Sequence, residues 1–342
     1  MTSKAKKQIY FALGLLVSAI LIWFLFRNIE FSKLLTALKE ANYWWLIPNV
    51  LLIILTMYQR AYRWKFMVAP IKNVKFSNLL AATCVGFMAN NVLPLRLGEF
   101  VRAYSLSSQD KGITKSASLA TIFVERMVFD LVALLIIFGA VLGISSSMRD
   151  QISDRMIYAT EFSILFALIG LGLMFILALK PSQVGNMLTR YLFFLPERIN
   201  ELIKNVIVKF SRGLEFLTDL KAVMIVGFHT MVIWILMGLS NYFVFEAFSF
   251  DIPLDASFVL LVIVSISILV PSTPGYLGVY HGGVVLSLSF YGIGAEEALS
   301  CAIVLHAAQY IVVTLMGFYF LKKEHLSLKQ LEDDASDSME MA

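Results

Sequence analysis

Long charge-free apolar runs dominate the chain. Eight hydrophobic segments stand out, over 8–26, 41–59, 76–95, 131–148, 162–179 and 222–245, a double-length run over 256–295, and 298–321. A helix needs about 20 mostly apolar residues to cross a hydrocarbon layer ~30 Å thick, so these runs predict membrane helices. The 131–148 run is preceded by a helical stretch from Ser116 that carries charges. The first run is too long for a signal peptide and lacks its small-residue cleavage site, so it reads as a retained span. Two runs differ from the rest. The one over 76–95 contains Asn90, Asn91 and Pro94 and leads into Arg96, Glu99 and Arg102. The one over 256–295 is interrupted by Pro271, Pro274, Gly275, Gly278, Gly282 and Gly283. Irregular backbone survives at membrane depth only where protein or a water-filled cavity covers it. Each is therefore expected to form a re-entrant hairpin or a discontinuous helix pair.

Composition narrows the class. The 342 residues are 59% hydrophobic and only 15% charged, against about 45–50% and about 25% in soluble domains. A compact water-soluble enzyme is excluded. Cys84 and Cys301 both lie in apolar runs and read as small hydrophobes, which excludes a disulfide framework. Charge then sets orientation. With a cytosolic N-terminus, six crossing runs and two broken runs that return to the side they left, inside segments hold 22 of the 28 Lys and Arg residues and outside segments hold 5. That is the positive-inside bias. The expected fold is an all-α polytopic membrane protein with about six full spans and two re-entrant or broken helical hairpins, over 76–102 and 256–295, in inverted orientation. Spans 41–59 and 117–143 would flank the first hairpin, and 222–245 and 298–321 the second. Inverted broken elements meeting near the midplane are the plan of many lipid and solute carriers. Residues 1–7 are expected to be cytosolic, 181–221 to form an interfacial amphipathic linker that includes Phe210, Leu214, Phe216 and Leu217, and 323–342 to form an acidic disordered cytosolic tail. The location expected is the cytoplasmic (inner) membrane, with both termini cytosolic.

Ionisable groups inside a membrane cost about 2.5–3.5 kcal/mol each on insertion scales and usually face an interior or a cavity. Arg96, Glu99 and Arg102 are spaced three apart and share one helical face, with Asn90, Asn91 and Pro94 just before them. Two guanidiniums around one carboxylate leave a net positive charge, and the planar fork of arginine matches a phosphate. The alternative is a salt-bridge ladder at the interface. Arg126 and Asp130, four apart, can pair along one face, and Glu125 is then free to meet Arg96 or Arg102. Arg60 and Arg63 also share a face, where they could touch a headgroup phosphate or simply snorkel. In the second broken run, Pro271, Pro274, Gly275 and Gly278 free backbone groups beside Tyr280 and His281, and His306 and Gln309 lie in the facing last run. His229 reads as structural. No histidine or cysteine pair has metal-ligand spacing, and no Walker A, GxSxG or dinucleotide fingerprint occurs, so no metal or cofactor is expected.

The run Asn91-Val92-Leu93-Pro94-Leu95-Arg96-Leu97-Gly98-Glu99-Phe100-Val101-Arg102 resembles a motif of the lysylphosphatidylglycerol synthase transmembrane-region family, also described as flippase-like membrane proteins. Glu125-Arg126 followed by Asp130, and the Pro-Gly break over 274–278, recur in that family in the same order. The resemblance covers about 8–322. It implies the membrane part of a protein that moves aminoacylated phosphatidylglycerol between leaflets, or a stand-alone member of a polyprenyl-phosphate sugar pathway. Where the family often carries a glutamate after the glycine break, this chain has His281. The 21 residues after Leu321 cannot form the aminoacyl-transferase domain of the synthases, so no enzyme activity is expected. The expected function is binding and translocation of an anionic phospholipid or a polyprenyl-phosphate-linked lipid. Arg96 and Arg102 would hold the phosphate, with Arg60 and Arg63 as further phosphate contacts, and Glu99, Glu125, Arg126 and Asp130 would orient them. The expected partners are membrane lipids and a possible lipid-modifying enzyme, with no nucleic acid. The alternatives are a non-transporting subunit of a lipid- or glycan-modifying pathway and a lipid-phosphate-dependent glycosyltransferase-like enzyme.

Overall fold

A computed structural model describes residues 3–93, 97–144, 169–191, 197–270, 272–324 and 327. Among them the regular structure is entirely helical. Helices α1 (Ser3–Phe26), α2 (Phe31–Glu40), α3 (Leu46–Val68), α4 (Phe76–Val92) and α5 (Gly98–Gln109) come first. Then α6 (Lys115–Val124) runs through a π turn (Glu125–Asp130) into α7 (Leu131–Ile144). They are followed by α8 (Ile169–Leu179), α9 (Pro181–Tyr191), α10 (Glu197–Arg212), α11 (Leu220–Ala247), α12 (Asp255–Ser267), α13 (Val279–Ser289) and α14 (Ala295–Lys323). Local chemistry sets several starts. The Thr114 hydroxyl accepts from the Ala117 amide, the Asp219 carboxylate from the Lys221 amide, and Pro181 occupies a first-turn position where its missing N–H is harmless.

Among the described residues two helices, α11 and α14, are long and apolar enough to cross a membrane alone. The count rises to four if the bent pairs α1–α2 and α8–α9 each serve as one span. The α1–α2 pair turns by 88° and the α8–α9 pair by 106°. The described helices thus establish a coarser pattern than eight segments with six full crossings. The reason is that α3 is interrupted by Arg60, Arg63 and Lys65, and several other runs fold as shorter helices.

Both interrupted runs form helix–break–helix units. In the first, α4 and α5 pack against each other along their length. Gly86 on α4 and Gly98 at the start of α5 let the backbones touch: a β-carbon on Gly86 would stand 2.6 Å from Arg102 Cβ and 2.8 Å from Gly98 O. The Asn90 Oδ1 accepts the Gly98 amide at 2.8 Å and so ties the end of α4 to the start of α5. Pro94 and Arg96 lie outside the described residues. In the second unit, α12 and α13 pack together, and the break between them needs left-handed backbone at Gly275 (φ 71°), Tyr276 (φ 60°) and Gly278 (φ 85°). Pro271 lies outside the described residues.

The two units meet. α14 packs on α4, and Gly275 fits beside Tyr310 of α14 and the Asn91 carbonyl at the end of α4. Asn91 Nδ2 donates to Thr314 Oγ1 at 3.0 Å. From the other side, Ser18 of α1 accepts the Thr273 amide at 3.0 Å. The main core joins α3, α4, α5 and α6 around Trp64, Met67, Leu79, Met88 and Leu106. The end of the 181–221 stretch belongs to that core rather than to a headgroup layer. Leu214, Phe216 and Leu217 are buried, and Gly213 packs directly on the Ala117 carbonyl. The physical reason is a short 3₁₀ turn (Glu215–Thr218) that folds these side chains inward.

Candidate functional site

The site is built on one face of α3. Asn49, Thr56, Arg60 and Arg63 recur at i, i+7, i+11 and i+14, which places them on one side of a helix, and all four are buried. The facing stripe comes from α11, which runs antiparallel to α3 and packs closely on it. Asn49 Nδ2 donates to the Ser240 carbonyl and hydroxyl, each at 2.8 Å. At the other end of the stripe, Arg63 Nη1 donates to Thr230 Oγ1 at 2.8 Å. Asn49 and Arg63, which would be costly towards lipid, thus find partners across the helix pair.

Below this stripe lies a buried ion network. Arg102 on α5 makes a bidentate pair with Glu125, with Nη1–Oε1 at 2.8 Å and Nη2–Oε2 at 3.1 Å. Arg63 Nη2 stands 2.9 Å from the same Glu125 Oε1, and Arg63 Nη1 stands 2.6 Å from Asp130 Oδ1. Arg126 Nη1 reaches Asp130 Oδ2 at 3.2 Å, and its Nε lies 3.9 Å from Glu99 Oε1. Asn90 Nδ2 holds that Glu99 oxygen at 3.3 Å. The Arg102 guanidinium stacks on Trp64 at 4.0 Å, and the Trp64 indole donates to Thr121 at 2.8 Å. Three guanidiniums, of Arg63, Arg102 and Arg126, therefore meet three carboxylates, of Glu99, Glu125 and Asp130. The π turn presents Glu125, Arg126 and Asp130 to partners on α3 and α5 together, a distortion that recurs at functional sites.

Arg60 stands outside this balance. Among the described residues no carboxylate lies within ion-pair distance of it. Its Nη2 points at the Met237 sulfur at 3.0 Å, a weak acceptor. Its Nη1 is buried without a partner, and its Cζ lies 4.8 Å from the centre of the Phe87 ring. Arg60 faces a cleft of about 520 Å³, counted with its open mouth, lined by Asn49, Thr56, Met237, Asn241 and Gln309 among others. Phe87 separates the cleft from Arg126, whose Cζ lies 4.9 Å from the same ring.

The residues singled out in the sequence thus divide into groups. Glu99, Arg102, Glu125, Arg126, Asp130 and Arg63 form one network, in which Arg63 and Arg102 face protein carboxylates. Arg60 and Gln309 belong to the cleft. Arg96 lies outside the described residues. Tyr280, His281 and His306 form a separate aromatic cluster, with the Tyr280 and His306 rings stacked at 4.8 Å and the two imidazoles edge-on at 4.9 Å. Pro274, Gly275 and Gly278 shape the backbone that supports this cluster. Asn90 and Asn91 tie the tip of α4 to α5 and α14. The His229 ring lies 3.0 Å from Gln59 Oε1 and stacks on Phe66, away from the residues that line the cleft. Asn49, Thr56, Met237, Ser240 and Asn241 were not singled out, although the polar stripe on α3 was there to be read.

The comparisons with known proteins agree on the membrane class. A family model described as the lysylphosphatidylglycerol synthase TM region matches residues 11–317. A UPF0104 membrane protein of Methanothermobacter thermautotrophicus is 24% identical, over 82% of this chain and 86% of its own. The UPF0104 membrane protein MJ1595 of Methanocaldococcus jannaschii is 22% identical, over 89% of this chain and 92% of its own. Glycosyltransferase AglD of Haloferax volcanii is also 22% identical, over 97% of this chain but 57% of its own. No solved structure gives a significant match. The family match spans the broken α4–α5 unit, the Glu125-Arg126 pair and the Pro-Gly break, and the chain, a multi-pass integral membrane protein, belongs to the lysylphosphatidylglycerol synthase transmembrane-region family.

Proposed function

We propose that the chain binds an anionic phospholipid or a polyprenyl-phosphate-linked lipid at the Arg60 cleft and moves it between the leaflets of the cytoplasmic membrane. The observation that carries this reading is a buried guanidinium, that of Arg60, which has no carboxylate partner among the described residues and lines a cleft at the junction of α3, α4, α11 and α14. An arginine so placed is costly in an apolar setting unless a ligand anion completes it. In this reading Arg63 and Arg102 hold the frame through Glu125 and Asp130, and Arg60 meets the phosphate. The α4–α5 and α12–α13 units are the two oppositely oriented elements, and both termini are cytosolic.

Arg60→Ala is expected to reduce transfer of a tail-labelled anionic phospholipid in proteoliposomes to the protein-free rate. Folding should survive, because Arg60 has no carboxylate partner to strand. A well-folded Arg60→Ala protein that transfers at the parent rate would remove the cleft from the mechanism. Parent protein that retains anionic lipid yet exchanges none between leaflets would turn the reading into a lipid-binding subunit that acts with a modifying partner. Topology is tested separately. Single cysteines in place of Ser107, near the end of α5, and Gly294, just before α14, are expected to react with an impermeant thiol reagent from opposite faces. Reaction of both from one face would end the inverted arrangement.

A further inference from the structure

Two unsatisfied buried groups belong to residues that line the cleft, and they are complementary. Arg60 Nη1 is a donor with no acceptor. Asn49 donates through Nδ2 to both Ser240 atoms, which fixes how its amide is turned and leaves Oδ1 an acceptor with no donor. Both side chains are more than nine-tenths buried. A buried polar atom left in this state is normally completed by a ligand or an ordered water. The group that completes the pair must offer an acceptor to the guanidinium and a hydroxyl or amine proton to the amide oxygen.

Charge narrows the choice. Among the described residues that line the cleft there is one cation, Arg60, and no Asp, Glu or Lys. Arg126 lies across Phe87 and is itself paired with Asp130 and Glu99. One buried positive charge neutralises one negative charge. A second negative charge would stay buried unpaired, and a cationic headgroup would find only amides and a repelling guanidinium.

We infer that the cleft selects a singly charged phosphodiester lipid with a free hydroxyl on its headgroup, over phosphomonoesters and over cationic aminoacylated headgroups. The inference rests on the reading of the cleft as a lipid-headgroup site and names its substrate class. The phosphate oxygen meets Arg60, the hydroxyl donates to Asn49 Oδ1, and Asn241 and Gln309 are within the same lining for further hydroxyls. Two lipids carry this chemistry: glycerol on a diacyl phosphatidyl anchor, or a sugar on a polyprenyl phosphate.

The test is a retention experiment on the full chain. The protein is reconstituted in phosphatidylcholine vesicles doped with equal amounts of five lipids, then re-extracted and the bound lipids counted by mass spectrometry. The five are phosphatidylglycerol, a polyprenyl-phosphate hexose, phosphatidylmethanol, phosphatidic acid and lysyl-phosphatidylglycerol. One or both of the first two should be enriched about tenfold over each of the other three, and which one is enriched identifies the anchor. Phosphatidylmethanol has the single charge without the hydroxyl, so its equal retention overturns the role of Asn49. Equal retention of phosphatidic acid overturns the charge limit, and equal retention of the lysyl lipid overturns the exclusion of cations. If no anionic lipid is enriched over phosphatidylcholine and Arg60→Gln changes nothing, the headgroup-site reading itself falls. Asn49→Ala should reduce the preference over phosphatidylmethanol to near unity. Asn49 also links α3 to α11, so the ratios for the parent protein are the deciding readout.

Discussion

Glu125→Gln is expected to lower the unfolding free energy by about 3–5 kcal/mol, the usual loss when one member of a buried ion pair is removed. Glu125 is fully buried and serves two guanidiniums at once, Arg102 through both oxygens and Arg63 through Oε1. Glutamine keeps the shape and one carbonyl acceptor but loses the charge. Arg63 would still have Asp130, whereas Arg102 would be left as a cation against Trp64 and apolar neighbours. The loss would be read as a lowered melting temperature of the purified protein in detergent. The double variant Arg102→Met with Glu125→Gln should recover a large part of it, because the stranded cation is then gone. A Glu125→Gln protein that melts with the parent would mean that water reaches these charges.

Gly98→Ala is the second large effect. A β-carbon there would fall inside contact distance of the Gly86 carbonyl and the Asn90 side chain. Backbone cannot yield as a flexible side-chain tip can, so α4 and α5 must separate or Asn90 must release the Gly98 amide. Overpacking of this kind costs about 1–3 kcal/mol, and the lost hydrogen bond adds about 1 kcal/mol. Because Arg102 is on α5 and Glu125 on the π turn, separation also loosens the ion network. The expected outcome is a marked fall in melting temperature together with loss of lipid transfer. Gly139→Ala on α7 is the control, since a β-carbon there meets nothing within 4 Å. Helix propensity then predicts no loss and up to about 1 kcal/mol of gain. Equal behaviour of the two variants would show that the α4–α5 contact does not limit stability.

Much of this was legible along the chain. Pro and Gly punctuate α12–α13 where the backbone needs positive φ, and a polar Asn pair marks the end of α4, so both interruptions could be placed before any coordinates. The charged residues that come together were visible too, because charge in an apolar run is rare. Their allegiances were not. Arg60 and Arg63 look alike in the sequence, three residues apart on one face, yet Arg63 meets Glu125, Asp130 and Thr230 while Arg60 meets a thioether and an open cleft. Only the azimuth of α3 against the π turn separates the two. Asn49, Ser240 and Asn241 were passed over for a related reason. Uncharged polar residues are common in membrane helices, and their meaning appears when the stripes of α3 and α11 face each other. Leu214, Phe216 and Leu217 read as interfacial from their basic neighbours, but a 3₁₀ turn carries them into the core.

The π turn has one more effect. A wide turn holds an extra residue, which advances everything after it by about 100° around the axis relative to an uninterrupted α-helix. Upstream, Ala120 and Val124 share the main core with Trp64. Downstream, Ala133, Ile137 and Val141 join a different cluster with Trp234 and Val259. A single added position thus acts as a phase shifter: it rotates the downstream apolar face relative to the upstream one, where the rod passes from one core to the next.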